Sequence, residues 1–481
     1  MNKVRTLVAL AVLAALPQLA AAAVPDALRD AAQKAVVTNP EVQASWHAFR
    51  AAEAEQRVAR GGYFPQVDLS AGVGRERLKR PGSSTDEFAR NSALLSLNQM
   101  VYDGFFTRGE VARLGYAKLA RYYELVEVSQ GAALEAVRAY SDVLRYRELV
   151  RLAQENYVQH RQIHDQIGDR AGAGVGRRVD LEQAAGRMAL AESNLLTEAS
   201  NLHDVSARYL RIVGEVPPGE LAPLAPQAPL ASLPANVTEA LREAFVSSPA
   251  LNAAVENVRA GQAQIESRRA AFQPRLDLRA RQSLDRNFEG VSGVTRDGVV
   301  ELVVNYNLYR GGADQARLRQ SAEALDQARD LREKACRDLR QTLSIAYNDV
   351  NRLVEQLRYL DQHQLSIEKA RGAYRDQFDI GQRTLLDLLD TENEYFEARR
   401  AYVNASYDQL IAQARALGSM GRLMTALAVA REDLPAAGEI GQDRSGVDPD
   451  SVCPAEAPLP LVIDKEALLV EAMRAAGRAP R

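Results

Sequence analysis

Among its 481 residues the chain has only two cysteines, one tryptophan and five histidines. Cys336 lies in a helical pattern and Cys453 in a proline-rich tail, so no disulfide framework is expected. No Ser/His/Asp or Cys/His set stands out as catalytic machinery. His160 and His164 stand at i and i+4, a possible metal pair, yet no third ligand accompanies them, so a structural or solvated role is expected. GDRAGAGVGRR at 168–178 is glycine-rich but has no G-K-[ST], so it is not a phosphate loop and reads as a flexible turn. No cofactor and no enzymatic activity are implied. Beyond residue 23 no run of 18 apolar residues occurs, so no spanning helix is expected. An excess of either charge is also lacking: 60 bases stand against 63 acids, a formal net charge of −3, which argues against a nucleic-acid footprint.

Residues 1–23 stand apart. Lys3 and Arg5 precede the apolar run LVALAVLAAL, and AAA at 21–23 offers a small-residue cleavage site, the pattern of a secretory signal peptide. Its removal leaves 58 bases against 63 acids. No cysteine follows the cleavage site, so no lipid anchor is expected there.

The rest of the chain is written twice. TNPEVQAS at 38–45 matches SSPALNAA at 247–254, and YFPQVDLSAG at 63–72 matches AFQPRLDLRA at 271–280, with Asp68 and Asp277 209 residues apart. LNQMVYDG at 97–104 matches VNYNLYRG at 304–311, and GVGRRVD at 174–180 matches GQRTLLD at 381–387, both at an offset of 207. The change of two residues falls between Asp68 and Asn98 and marks a variable loop. The boundaries expected are a signal peptide at 1–23, a first repeat at 24–214, a proline-rich linker at 215–236, a second repeat at 237–431 and a tail at 432–481, disordered or wrapped on the outside.

Each repeat reads helix, strand, loop, strand, long helix, turn, helix. Leu181, Met188, Leu195, Leu202 and Tyr209 are spaced by seven, as are Leu389, Phe396, Val403, Leu410 and Leu417. A sustained seven-residue spacing predicts coiled-coil packing. No proline interrupts 312–433, which allows helices on the order of 100 Å long. In the two strand regions of the second repeat, 274–287 and 299–309, apolar and polar residues alternate. Leu276, Leu278, Ala280 and Leu284 oppose Arg275, Asp277, Arg279 and Arg281; Val300, Leu302, Val304, Tyr306 and Leu308 oppose Glu301, Asn305 and Asn307. Val67, Leu69, Ala71 and Val73, then Ala93, Leu95, Leu97 and Val101, repeat the theme in the first half. This length and period suit membrane barrel strands, and aromatics cluster at their ends. Four strands cannot close a barrel, since closure needs about eight, so several chains would have to contribute.

These duplicated starts, F-x-P strand entries, Tyr-x-Gly strand exits and the DLEQA and LLDLLD segments together make residues 25–430 resemble the TolC-like outer-membrane efflux and type I secretion channel family. The resemblance implies a mainly α protein with a membrane β-barrel. It would be a homotrimeric channel-tunnel with four strands per chain in a shared twelve-stranded barrel, over coiled-coil helices that form a periplasmic tunnel. It implies a passive export conduit in the outer membrane, serving type I protein secretion or small-molecule efflux. Its partners would be a periplasmic adaptor and an inner-membrane transporter, either an ATP-binding exporter or a proton-driven pump. The competing class is a periplasmic coiled-coil adaptor, which the duplicated strand–helix unit disfavours.

Within that resemblance, Asp387 and Asp390 match the family's pore constriction, where carboxylates from three chains would repel one another and attract cations. Gly381 is placed to end the long helix, putting both aspartates near a hairpin tip. Arg383 matches the gate arginine and Asp180 its acidic partner on the other hairpin. Phe378 falls where the family has a gate tyrosine, and Val179 where it has a hydroxyl residue, so the closed state would rest more on the Arg383–Asp180 pair or be looser.

Overall fold

A computed structural model describes residues 25–82, 84–224, 230–436, 438–441, 453–458, 460–461 and 463–475. The signal-peptide region and all of 442–452 lie outside the described residues. Two short helices open the first half, α1 (Asp26–Thr38) and α2 (Pro40–Gly61). Asn39 caps α2 by accepting the Glu41 N–H, with Pro40 at the first helical position, where a missing N–H costs nothing. Strands β1 (Gln66–Lys79) and β2 (Thr85–Tyr102) follow, then α3 (Phe106–Gly172) and α4 (Arg178–Val213). The second half repeats the plan with α5 (Val237–Ser247), α6 (Pro249–Arg269), β3 (Arg275–Arg286), β4 (Val294–Asn305), α7 (Ala313–Asp379) and α8 (Leu385–Ser419). A short α9 (Leu423–Ala426) and a C-terminal α10 (Lys465–Ala475) complete the chain. Helices α3 and α7 each have 67 residues, about 100 Å of helix, and α4 and α8 return along them for about half that distance.

The four strands form one antiparallel sheet in the order β1-β2-β3-β4. Its rows sort by chemistry. Val67, Leu97, Ala280 and Val300 lie side by side, while the neighbouring row holds Asp68, Ser96, Arg281 and Val299. In a single copy the aliphatic face is bare, with Val73 88% and Val300 76% exposed. Both outer strands, β1 and β4, present an unpaired edge. β4 ends at Asn305, before Tyr306 and Leu308, which the alternation had included in the strand. The chain must leave the sheet there to turn into α7, and Gly311 and Gly312 take positive φ to do so. The matching corner at Gly104 and Phe105 uses the same left-handed geometry, although Phe105 pays a steric cost that glycine avoids. Tyr63, Phe64, Phe105, Phe106, Phe272 and Tyr309 are all exposed at this one rim, where strands give way to helices.

Below the sheet the long helices pack in the order α4-α3-α8-α7. The seven-residue pattern is what they bury: Leu389, Phe396, Leu410 and Leu417 are all inside. Two larger cores lie at mid-height. One joins α1, the Ala133–Val143 stretch of α3, the end of α4 and α9. The other joins α5, the start of α6, the Cys336–Ala346 stretch of α7 and the end of α8. Alanine dominates these segments and lets the backbones approach closely. Trp46 of α2 packs against Phe49, and the guanidiniums of Arg50 and Arg431 lie 5.7 and 5.1 Å from its ring.

The cysteines depart from expectation. Cys336 and Cys453 form a disulfide with a Cα–Cα distance of 5.7 Å. The chain after residue 452 comes back onto α7, and Ala455 and Ala457 pack against the core around Leu343. A span of 117 residues carries no local signal for such a return. Closing a loop of that length removes unfolded-state freedom worth about 4–5 kcal/mol in the chain-entropy model.

Candidate functional site at the hairpin tips

The two hairpins turn alike. Gly174 and Gly381 both adopt φ +76°, which reverses the chain at the ends of α3 and α7. At the second tip the Gly381 N–H bonds the Phe378 carbonyl at 3.0 Å and the Gln382 N–H bonds the Gln377 carbonyl at 2.8 Å, satisfying the last carbonyls of α7. The return helix then starts on a capping box: Asp387 N–H donates to Thr384 Oγ1, while Thr384 N–H and Oγ1–H donate to Asp387 Oδ2 at 3.2 and 2.9 Å. The hydroxyl and backbone bonds from Thr384, with Arg383 nearby, hold the Asp387 carboxyl below the usual range, so it is ionised.

Asp387 and Asp390 do share one helix face, but they are not equivalent. Asp390 is ion-paired with Arg187 of α4, across the junction between the hairpins. Arg383 and Asp180 are not brought together within one copy. The Arg383 guanidinium stacks 4.3 Å from the Tyr374 ring, its Nε donates to Gln377 Oε1 at 2.9 Å, and one terminal nitrogen stands 4.0 Å from Asp387. Asp180 is half-buried in the first turn of α4, and among the described residues no ion pair reaches it. Phe378 is buried with Ile163, Ile167, Ala184, Leu385, Leu388 and Leu389, and Arg170 lies 5.2 Å over its ring. In this copy it anchors the apolar core of the tip.

The residues sequence reasoning missed are the cross-hairpin partners. Besides Arg187–Asp390, Arg375 donates to Gln159 at 2.6 Å, Arg399 reaches Glu155 at 2.8 Å and Arg400 reaches Glu198 at 2.9 Å. A signal for Arg187 was present: it follows Asp180 by seven residues, on the same helix stripe. Glu392 is buried beneath this ladder and bonded by Arg371 Nε at 2.7 Å. It lines a cavity of about 240 Å³ with Asn156, Gln159 and Arg399. His160 is buried close by. Its Nδ1–H donates to the Asn156 carbonyl at 2.9 Å, and burial pushes its pKa down, so the ring is neutral. His164 instead meets Asp165, and among the described residues no three potential metal ligands gather.

Residues 31–215 and 240–422 match the family model described as outer membrane efflux protein. The outer membrane efflux protein BepC of Brucella suis is 28% identical over 84% of this chain and 87% of its own length. The outer membrane protein TolC of Escherichia coli is 25% identical over 81% of each. A solved membrane protein from Pseudomonas aeruginosa superposes with a TM-score of 0.75 at 18% identity, covering 82% of this chain and 94% of that one. These matches run through strands and hairpins in both halves and exclude the periplasmic-adaptor alternative. With both repeats under one model and the whole helix–sheet plan shared, the chain belongs to the outer membrane efflux protein family.

Proposed function

We propose that three copies of this chain close a single twelve-stranded barrel and, beneath it, one helical tunnel, forming a passive outer-membrane duct. The cargo is that of type I protein secretion or of small-molecule efflux, delivered by an inner-membrane transporter through a periplasmic adaptor. One observation carries the reading: a four-stranded sheet with a bare aliphatic face and two open edges, mounted on coiled coils too long for a compact core. In lipid such a sheet is stable only when its edges are paired.

The tips are the aperture. Asp387 from three copies supplies its negative charge, and Asp390 adds to the ring when Arg187 lets go. Arg383 and Asp180, apart within one copy, meet across neighbouring copies and latch the closed state, with Phe378 packing the tip behind them. Exposed ion pairs contribute about 0–1 kcal/mol each, so such a latch is one that a docking partner can release. The test is planar-bilayer recording on the detergent-purified protein. Asp180→Asn should raise single-channel conductance, and Asp387→Asn should weaken block by divalent cations. A water-soluble monomer that forms no channels would end the proposal.

A further inference from the structure

The segment that begins at Cys453 has no part in the duct as described, yet it is built into the molecule. Its first residue is buried and disulfide-bonded to α7. About 35 Å further toward the tips, Lys465 Nζ bonds Tyr359 Oη at 2.6 Å, lies 4.2 Å over the same ring and stands 3.4 Å from Glu355. Asp464 accepts the Ala467 N–H and opens α10. This helix of 11 residues buries none of them in a single copy. Leu461, Ile463, Leu468 and Leu469 are 87, 60, 57 and 54% exposed. A solvated tail would carry polar residues there, so this apolar run is a surface awaiting a cover.

The cover follows from where α7 stands. It is the outermost helix on one flank of the α4-α3-α8-α7 layer, directly continuing the open-edged strand β4. Between Leu357 and Phe378 it buries no residue, and Val354 and Leu365 lie bare beside the attachment point. Helix α4 is the outermost helix of the other flank, and it exposes Leu190 and Leu196. When identical copies close a ring, one copy's α7 flank meets the next copy's α4 flank. Measured from the tips, Tyr359 and Leu196 stand at nearly the same height, roughly 30 Å up their helices.

We propose that Leu461 and residues 463–475 form a staple between copies: clasped to their own α7 by Cys336–Cys453 and Lys465, they lay Leu461, Ile463, Leu468 and Leu469 against α4 of the neighbouring copy around Leu190 and Leu196. The occupant of the surface is a second copy of this chain because the attachment lies on the flank that the open edge of β4 already commits to subunit contact. The disulfide suits an oxidising compartment and keeps the staple at the seam. This rests on the trimeric reading above.

The experiment places photoreactive p-benzoylphenylalanine at Leu469 of the full chain, in outer membranes and in detergent. Illumination should yield a covalent pair of copies, with the crosslink mapping to α4 near Leu190–Leu196. Crosslinks confined to the same chain, or reaching only another protein such as an adaptor, in a preparation that sizes as a trimer, would overturn the staple and leave the channel reading standing. A preparation that never forms trimers would overturn both. In a second arm, Leu468→Asp/Leu469→Asp and Cys336→Ser/Cys453→Ser should each lower the temperature at which trimers dissociate in SDS by more than about 5 °C. An unchanged dissociation temperature in both variants would also overturn the proposal.

Discussion

Helices α3 and α7 are copies of one design, equal in length and starting 207 residues apart, yet 25 residues of α3 are buried against 9 of α7. The difference is position. α3 lies inside the helix layer, with α2, α4, α6 and α8 against it, whereas α7 stands at the flank. Duplication supplied two equivalent hairpins that packing has made unlike: the long helix of the first is buried along much of its length within the subunit, while that of the second leaves a bare flank, the one that the proposed trimer would place against the next copy. The tips differ in the same way. Thr384 and Asp387 cap α8 with paired side-chain bonds, while Arg177 at the start of α4 provides no side-chain cap.

The strongest way to break this comparison is in the sheet. Val300→Arg sets a charge on the bare aliphatic face at mid-strand, where burial in lipid costs about 2–4 kcal/mol per chain. Val299→Arg, one residue away on the polar face, should be tolerated. The yield of heat-stable trimers in outer membranes separates the two, and equal yields would disprove the assignment of faces.

The next contrast lies in the tip core. Leu388→Ala empties a fully packed position and should cost about 2–4 kcal/mol, whereas Leu181→Ala, its counterpart in the first hairpin and only partly covered, should cost less than half of that. Limited proteolysis at the two tips reads the effect, with faster cleavage expected in the Leu388 variant.

Acid gives a third contrast. Burial keeps His160 neutral in the folded protein, and the unfolded chain binds its proton more readily. Stability is therefore full above the unfolded value near pH 6.5 and falls as the pH drops below it. Asp387 has a lowered pKa of its own, so its capping contribution is held above the ordinary carboxylate range and lost only in stronger acid. Hydrogen exchange should show the Asn156–Ile167 stretch of α3 loosening between about pH 6.5 and 5. His160→Gln should remove that dependence, and a retained pH dependence would show that another group titrates.

The smallest effect belongs to the cross-hairpin pair. Arg187→Gln should change stability by less than about 1 kcal/mol, because both partners reach solvent. It should nonetheless free Asp390 and strengthen cation block of the channel, an increase that Asp390→Asn would cancel.

Periodicity made the architecture readable, because burial repeats every seven residues on these helices and every second residue on the strands. Leu389, Phe396 and Leu417 are inside for that reason, and Gly381 stops its helix because no other residue takes φ +76° so cheaply. The partners at the tips were not readable. Periodicity fixes which stripe of α4 faces α8, but not the axial stagger between hairpins. That stagger decides that Arg187 finds Asp390 while Arg383 settles on Tyr374. The disulfide escaped for a related reason: nothing in the spacing of two cysteines reveals the path of the tail between them.

The lone tryptophan has a practical consequence. Trp46 has two guanidiniums close to its ring and packs with Phe49 and Tyr122, far along the molecule from either tip. Its emission is therefore a built-in optical gauge for the cluster around Phe49 and Tyr122 alone. Motion of the hairpin tips should leave the spectrum unchanged, while anything that loosens that cluster should shift it, with no dye attached.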